Sequence, residues 1–321
     1  MKNRTKLIRA IPALLATFAL VAIVGCGNVG SSSGSGPSAG DDSGGGGPTI
    51  TVGSKNFTEQ YVLGELYAQA LEANGFNAET KLDLGSAAIA DKALQNGQID
   101  MYPEYTGTAL VEIFKQEEQP DTPEATYQEA RQLYAGRDPA DTMLTPAPFN
   151  NTYGIFVRKE VAEQYNLKTL ADLAEASPEL TFVSFSEFQN RSDGYPNMQK
   201  NYPAFDFGEI KNVNSIGGPI YQGVLQGEGE VGVGFTTDGQ LASDQLAVME
   251  DPKNIWPFYY PAPVVRSNVL KQNPKMEEVL NSVSKTLDAE SMRKLNAQVD
   301  IEQEDPEDVA TEFLKEKGLV E

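Results

Sequence analysis

Aromatic side chains gather at four places where the predicted strands of this chain end. The segment 102–108 follows a strand predicted over 99–102, the segments 149–153 and 256–260 occupy similar junctions, and Phe235 ends another predicted strand. Small ligands of open α/β sheets bind beyond the carboxyl ends of the strands. Several aromatic faces in one cleft suit a bulky cation that lacks N–H donors, namely a quaternary ammonium. For any one of these clusters taken alone, packing at the edge of a sheet is a better explanation than ligand binding.

A zwitterionic ligand would also need a cationic group to meet its carboxylate. Lys55 follows the first predicted strand, and Arg191 lies four residues after Glu187. The planar fork of an arginine matches the two oxygens of a carboxylate. A surface ion pair between Glu187 and Arg191 along one helix explains the arginine equally well. The sequence leaves these two interpretations of Arg191 open.

The sequence contains no histidine, and Cys26 is its one cysteine. Ser-His-Asp and Cys-His catalytic systems are therefore excluded, together with imidazole metal sites, intramolecular disulfides and thiolate zinc sites. Glu104 and Glu187 could carry out glycosidase-type acid–base catalysis, which needs no histidine. Nothing in the sequence places these two carboxylates face to face, and a solvated surface or a salt bridge explains each of them. We therefore expect no catalysis, no metal and no cofactor.

The charge balance of the chain is strongly acidic. It has 25 Lys and Arg against 46 Asp and Glu, which gives a formal net charge of −21. A surface with this excess of negative charge repels phosphate backbones, so we expect no nucleic-acid partner. Hydrophobic residues make up 40% of the 321 positions, which is enough to build the cores of two domains.

The start of the chain has the pattern of a secretion signal. A basic beginning precedes an uncharged, mostly apolar run over 11–24, which is shorter than the roughly 20 residues that a membrane-spanning helix needs. Cys26 follows Gly25 at the end of this run and resembles the cysteine of the bacterial lipobox, which receives a lipid. Residues 26–48 are rich in Gly and Ser and cannot bury a core. The sequence predicts a signal peptide over 1–25, lipidation of Cys26 and a flexible tether over 26–48.

The remainder of the chain alternates predicted strands and helices. Short β-favouring runs lie at 50–53, 79–82 and 99–102, with helical patterns between them, and the alternation recurs after Thr152 with a helical pattern over 161–176. This rhythm is typical of an α/β fold. We expect two lobes, each with a mostly parallel sheet flanked by helices.

Six sequence blocks resemble the glycine betaine/carnitine/choline-binding proteins of osmoprotectant ABC importers. In chain order they are VGSKNFTEQ at 52–60, YPEYTGT at 102–108, NNTY at 150–153, RSDGYP at 191–196, TTDG at 236–239 and PFYYPAPVVR at 257–266. The resemblance covers essentially residues 50–320. It implies a type II periplasmic-binding-protein fold, in which two lobes joined by two crossovers close on the ligand. It places lobe 1 at 49–152 plus 259–321 and lobe 2 at 153–258.

The resemblance also implies which residues contact the ligand. The aromatic cage of the family falls on Tyr105, Tyr153, Phe235 and Tyr259. The polar and carboxylate-binding positions fall on Lys55, Thr108, Glu187 and Arg191. Phe235 departs from the tyrosine expected at its position. Phenylalanine keeps the aromatic face and lacks the hydroxyl, so the cage is retained while the choice of ligand can shift.

The family implies a substrate-binding lipoprotein that works with an ABC permease and its ATPase subunits, held outside the cytoplasm by a lipid anchor as a monomer. The presence of both Lys55 and Arg191 favours a carboxylated ligand such as glycine betaine. Choline has no carboxylate, so its binding would leave both cations unpaired in a closed cleft. The alternatives are a binding protein for another small cationic or zwitterionic solute such as a polyamine, a carboxylate-based hydrolase, and a surface adhesin or structural lipoprotein without a small-molecule ligand.

Overall fold

The computed structural model of the chain describes residues 47–214 and 216–321. The predicted signal peptide over 1–25, Cys26 and all but the last two residues of the predicted tether lie outside the described residues. Across the described ranges, no helix combines the length and the apolar character that crossing a membrane requires.

Ten strands are described. In chain order they are β1 (Ile50–Gly53), β2 (Ala78–Lys81), β3 (Met101–Tyr105), β4 (Asp141–Met143), β5 (Tyr153–Arg158), β6 (Thr181–Phe185), β7 (Glu209–Val213), β8 (Val231–Phe235), β9 (Leu246–Val248) and β10 (Pro261–Arg266).

The strands form two five-stranded sheets with the same kind of topology. The first sheet has the order β2-β1-β3-β10-β4, and the second has the order β7-β6-β8-β5-β9. In the first sheet β10 is antiparallel to both of its neighbours, whereas the other strands share one direction. In the second sheet β5 is the one reversed strand. Each sheet is therefore mostly parallel, as the sequence predicts.

The chain passes between the two sheets twice. It leaves the first sheet after β4 and enters the second with β5, and it returns after β9 to complete the first sheet with β10. The reversed strand of each sheet is thus the strand that directly follows a passage. The strands of each sheet fall inside the range predicted for one lobe; the lobe boundaries themselves stay a prediction.

Helices cover the sheets. They are α1 (Thr58–Ala73), α2 (Ala87–Gln95), α3 (Thr106–Thr108), α4 (Pro123–Gly136), α5 (Lys159–Gln164), α6 (Leu170–Ala176), α7 (Ser186–Asn190), α8 (Tyr195–Asn201), α9 (Gly218–Leu225), α10 (Ser267–Gln272), α11 (Met276–Thr286), α12 (Ala289–Asp300) and α13 (Pro306–Glu316). A π-helical turn, Ala109–Ile113, continues α3, and 3₁₀ turns lie at Ser177–Glu179 and Gly239–Ala242.

Two details of the predicted secondary structure are wrong. The helix predicted over 161–176 is two helices, α5 and α6. Asn166 between them has a left-handed φ of 53°, and Thr169 starts α6 with a reciprocal capping box to Asp172, an arrangement that begins a new helix. The strand predicted over 99–102 is β3, which extends to Tyr105 because its residues pair with β10.

The hydrophobic core of the second sheet contains most of the buried aromatic residues. Phe156, Phe182, Phe188 and Tyr221 are fully buried within it. Tyr105 ends β3 of the first sheet and Tyr259 precedes β10, yet both pack in this core. The two lobes therefore meet along a layer of aromatic rings.

Candidate functional site

A small pocket is lined by residues from the segments of both sheets. The eight cage and polar residues predicted from the sequence all line it: Lys55, Tyr105, Thr108, Tyr153, Glu187, Arg191, Phe235 and Tyr259. Cys26, the predicted lipidation site, lies outside the described residues. The structure therefore brings the predicted ligand-binding residues together, and their contacts with a ligand stay a prediction.

Strand pairing positions two of the cage rings. In the antiparallel register of β5 with β8, Tyr153 lies directly opposite Phe235. Side chains that face each other across neighbouring strands are close enough to interact. Their ring centroids are 5.4 Å apart, with 26° between the ring planes. The register of one strand pair thus builds one wall of the pocket.

The other two cage residues belong to the first sheet. Tyr105 ends β3, and Tyr259 lies two residues before β10. The backbone N–H of Gly107 donates to the carbonyl of Phe258 over 2.9 Å, which holds the two segments together. A Cβ atom at position 107 would lie 2.8 Å from that carbonyl oxygen, closer than real Cβ contacts allow. Glycine at 107 therefore permits the close approach on which this wall depends.

Phe57 is a fifth ring that sequence reasoning missed. Its centroid lies 6.1 Å from that of Tyr105 and 5.5 Å from that of Phe235, and both pairs are stacked. It lines the pocket between these two rings. The signal was available, because Phe57 lies in the same block as Lys55. Asn56, Ser86, Ala87, Asn151, Phe185 and Ile216 also line the pocket without having been predicted.

Lys55 is paired inside the protein. Its Nζ donates to Oε1 of Glu104 over 2.5 Å, and the two side chains are 5% and 0% exposed. Burial lowers the pKa of Lys55, and the negative charge of Glu104 opposes that shift. The same Nζ lies 4.4 Å from the ring centroid of Tyr105. Lys55 therefore already has a carboxylate and an aromatic partner.

Arg191 is paired as well. Its Nε and Nη2 donate to the two oxygens of Asp193 over 2.8 and 2.6 Å. Its Nη1 donates to Glu187 over 3.3 Å, the i,i+4 pair that the sequence left open. Tyr259 also donates its hydroxyl to Asp193, over 2.6 Å. Asp193, which sequence reasoning missed, thus orients both a predicted cation and a predicted cage ring.

These pairs correct one step of the sequence argument. We expected a ligand without a carboxylate to leave Lys55 and Arg191 unpaired. Glu104 pairs the first, and Asp193 with Glu187 pairs the second. The two cations are therefore neutralised without a ligand, and their presence discriminates less against choline than we expected.

The enclosed space in the pocket is about 40 Å³, enough for about three water molecules. A wider depression of about 420 Å³ adjoins it and shares Ser86, Glu187 and Arg191 with it. Glu112 and Lys115 line this depression together with the shared residues. A ligand that enters through the depression must therefore widen the cage, either by moving side chains or by separating the lobes.

Glu104, one of the two carboxylates considered for a hydrolase, has a structural role. Glu104 is fully buried against Lys55 and also accepts from the backbone N–H of Tyr105 over 2.7 Å. It is not among the residues that line the pocket, whereas Glu187 is. The pair that we considered for acid–base work therefore does not face one substrate.

Two α/β lobes joined by two passages, with an aromatic pocket between them, define a bilobed solute-binding protein. Residues 48–316 match the family described as the substrate binding domain of ABC-type glycine betaine transport systems. The chain belongs to this family, and it is the substrate-binding component of an ABC importer, which acts outside the cytoplasm. The predicted family and fold are thereby confirmed.

Similar proteins support the same assignment. The chain is 36% identical over 283 residues to the glycine betaine-binding protein YehZ of Escherichia coli (strain K12), covering 84% of this chain and 90% of that protein. It is 35% identical over 285 residues to a glycine-betaine-binding protein of Pseudomonas aeruginosa, covering 85% and 89%. A crystal structure of a glycine betaine/carnitine/choline ABC transporter superposes with a TM-score of 0.69 at 28% identity, over 84% of this chain and 99% of that one.

Proposed function

We propose that this protein captures a quaternary-ammonium osmoprotectant, with glycine betaine as the first candidate, and delivers it to a membrane permease. The observation that carries the proposal is the gathering of Phe57, Tyr105, Tyr153, Phe235 and Tyr259 around one pocket. Aromatic faces attract an ammonium that is surrounded by methyl groups and has no N–H to donate. The names of the two bacterial relatives support the same ligand class.

The carboxylate of the ligand would lie on the polar side of the pocket. Arg191 keeps donors beyond those it gives to Asp193 and Glu187, because a guanidinium has five. Thr108 lines the same pocket and adds a hydroxyl. The acidic partners of Arg191 fix its orientation, which limits the entropy lost when it binds a carboxylate.

Choline is a second candidate, because Lys55 and Arg191 are already paired inside the protein. Lys55 and Arg191 have protein carboxylates as partners. A ligand with a hydroxyl in place of a carboxylate therefore leaves no buried charge without a partner. Carnitine, which has both groups, belongs to the same class.

Ligand binding would favour a closed form. Tyr105 and Thr108 come from the segments of the first sheet, whereas Tyr153, Arg191 and Phe235 come from those of the second. A molecule that touches both groups of residues stabilises the arrangement that brings them together. The closed form then docks on the permease, with no catalytic step.

Titration calorimetry of the purified protein against glycine betaine, choline, carnitine and putrescine tests this proposal. We expect micromolar binding of at least one quaternary ammonium and none of putrescine. Binding of putrescine alone would favour the polyamine alternative. A measurable turnover of sugar or ester substrates would contradict the absence of catalysis.

The anchor is proposed from sequence alone. We infer that Cys26 carries a lipid that holds the protein at the cell membrane as a monomer. Mass spectrometry of the membrane fraction is expected to find a diacylglycerol adduct on Cys26. The variant Cys26→Ala should appear in the medium or in the soluble fraction, and retention of this variant in the membrane would contradict the anchor.

A further inference from the structure

Glu59 is a buried carboxyl that the sequence analysis assigned no role. It is the second residue of α1, it is 2% exposed, and it is not among the residues that line the pocket. Within residues 47–214 and 216–321, no Lys or Arg pairs with it. Burial raises its pKa, and hydrogen bonds oppose that shift. A buried carboxylate without a cation needs hydrogen-bond donors.

Four side chains from separate segments donate to it. Its Oε1 accepts from the Tyr105 hydroxyl and from Nδ2 of Asn151, both over 2.8 Å. Its Oε2 accepts from the Thr237 hydroxyl over 2.5 Å and from Nδ2 of Asn296 over 3.0 Å. Each oxygen therefore has two donors, which favours the ionised form.

Two of these donors line the pocket, and their hydrogens are committed to Glu59. A tyrosine hydroxyl has a single hydrogen, so Tyr105 keeps acceptor capacity and has none left to donate. Asn151 turns Nδ2 to Glu59, and its Oδ1 is buried without a hydrogen-bond partner. Glu59 therefore fixes the orientation of two side chains on this wall of the pocket from behind it.

The other oxygen of Glu59 acts on the opposite wall. Thr237 lies two residues after Phe235, in the turn that follows β8. Its hydroxyl bond to Glu59 ties that turn to α1, and Asn296 of α12 donates both to Glu59 and to the carbonyl of Thr237. One carboxylate thus holds a cage ring of the first sheet and the turn behind a cage ring of the second.

We propose that Glu59 is a positioning residue that sets the shape of the ligand site, holding Tyr105 and Asn151 in place on one side and fixing the turn that follows Phe235 on the other. This inference rests on the proposed capture of a quaternary ammonium, and Glu59 acts without contacting the ligand.

The variant Glu59→Gln tests the inference in the full-length purified protein. An amide presents its oxygen to one pair of these donors and its hydrogens to the other pair, so either Tyr105 and Asn151 or Thr237 and Asn296 must reorient. We expect the Kd for glycine betaine to rise about 10-fold, the effect of a buried polar group left without a partner. Glu65→Gln is the matched control. Glu65 lies on the same helix, is 9% exposed and is not among the pocket residues, so its variant should leave the Kd unchanged.

A double-mutant cycle separates positioning from general stability. Tyr105→Phe removes the hydroxyl that Glu59 holds. The effect of Glu59→Gln on the Kd should therefore be smaller in the Tyr105→Phe background than in the wild type. A residue that only stabilises the fold would lower the melting temperature in both backgrounds and change the Kd by the same factor.

The outcomes are distinct. If the wild type binds and Glu59→Gln has the same Kd, this inference is overturned and the proposed function stands. The same holds if the effects of Glu59→Gln and Tyr105→Phe on the Kd are independent of each other. Failure of the wild type to bind any quaternary ammonium overturns both. If Glu59→Gln does not fold, Thr237→Val replaces it, since Thr237 is fully buried and is not a pocket residue. Weaker binding by Thr237→Val supports the inference, and unchanged binding overturns it.

Discussion

The ammonium of Lys55 lies 4.4 Å from the centroid of the Tyr105 ring. This is the position that a ligand cation would take in a cation–π contact with that face. Glu104, the residue before Tyr105, holds Lys55 there. The ion pair therefore places a cation on one wall of the cage. A quaternary ammonium must use the remaining aromatic faces or displace the lysine.

Removing the charge of Lys55 should destabilise the fold. Lys55→Met leaves Glu104, which is fully buried, without its cation. An uncompensated buried charge costs about 3–5 kcal/mol. Urea denaturation should show that loss in the free energy of unfolding. The double variant Lys55→Met with Glu104→Gln should recover a part of it, and a loss below about 1 kcal/mol in the single variant would contradict this role of the pair.

Phe57 should contribute to affinity through its aromatic face. Phe57→Leu keeps an apolar side chain between Tyr105 and Phe235 and removes the ring. We expect the Kd for glycine betaine and for choline to rise about 3- to 10-fold, as the loss of one cation–π contact predicts. Phe205→Leu is the control, because Phe205 is buried in the hydrophobic core of the second sheet and is not a pocket residue. Equal affinities in Phe57→Leu and the wild type would remove Phe57 from the cage.

Arg191 should discriminate between ligands with and without a carboxylate. Arg191→Ala removes a charged donor, so we expect glycine betaine to lose about 10- to 100-fold in affinity. Choline should lose less, because it has no carboxylate to bind. Arg191→Lys keeps the charge without the fork and should be intermediate. Calorimetry with both ligands measures the ratio, and an unchanged affinity for glycine betaine in Arg191→Ala would make the carboxylate assignment wrong.

Asp238 should make stability depend on pH. Burial raises its pKa from 3.8 to about 7, and the charges of Glu59 and Asp300 add to the shift. Between these two values the folded protein keeps a proton that the unfolded chain releases. The free energy of unfolding therefore falls as pH rises through this window.

The variant Asp238→Asn checks that dependence. Oδ2 of Asp238 accepts from the Tyr221 hydroxyl and the backbone N–H of Phe235, both over 2.8 Å, and an asparagine oxygen can accept both. Melting temperatures measured between pH 4.5 and 8 should decline less steeply in the variant than in the wild type. Asp244→Asn, at an exposed position, is the control. Identical slopes in Asp238→Asn and the wild type would show that Asp238 does not titrate in this window.

Much of the fold follows from local sequence patterns. The alternation of strands and helices predicts two α/β lobes. It can be read from the sequence because the hydrophobic periods of helices and strands appear within short stretches of chain. The short strands β4, β7 and β9 escaped prediction. β4 and β9 have three residues each and pair with strands that are distant in the chain, and such pairing leaves little trace in the local sequence. β7 pairs with the preceding strand β6 at the edge of its sheet, where its side chains stay half-exposed or exposed and form no apolar run.

The sequence predicted those residues of the site whose own side chains suit contact with the ligand. The sequence blocks identified Tyr105, Tyr153 and Arg191, and the structure brings them to one pocket. Glu59 and Asp193 were missed because their roles depend on side chains far away in the chain. Thr237 lies 178 positions from Glu59, and Tyr259 lies 66 from Asp193. No local pattern distinguishes such carboxylates from surface acids.

Tyr153 tests most directly whether a cage of aromatic rings binds a quaternary ammonium. Tyr153 lies 5.2 Å from the ring of Trp256, the one tryptophan of the chain, so the fluorescence of that indole reports on the cage. We propose titrating the wild type, Tyr153→Phe and Tyr153→Ala with glycine betaine and choline, by calorimetry and by fluorescence. We expect micromolar binding that Tyr153→Phe retains and Tyr153→Ala abolishes. Binding that survives in Tyr153→Ala, or no binding of either ligand by the wild type, would contradict it.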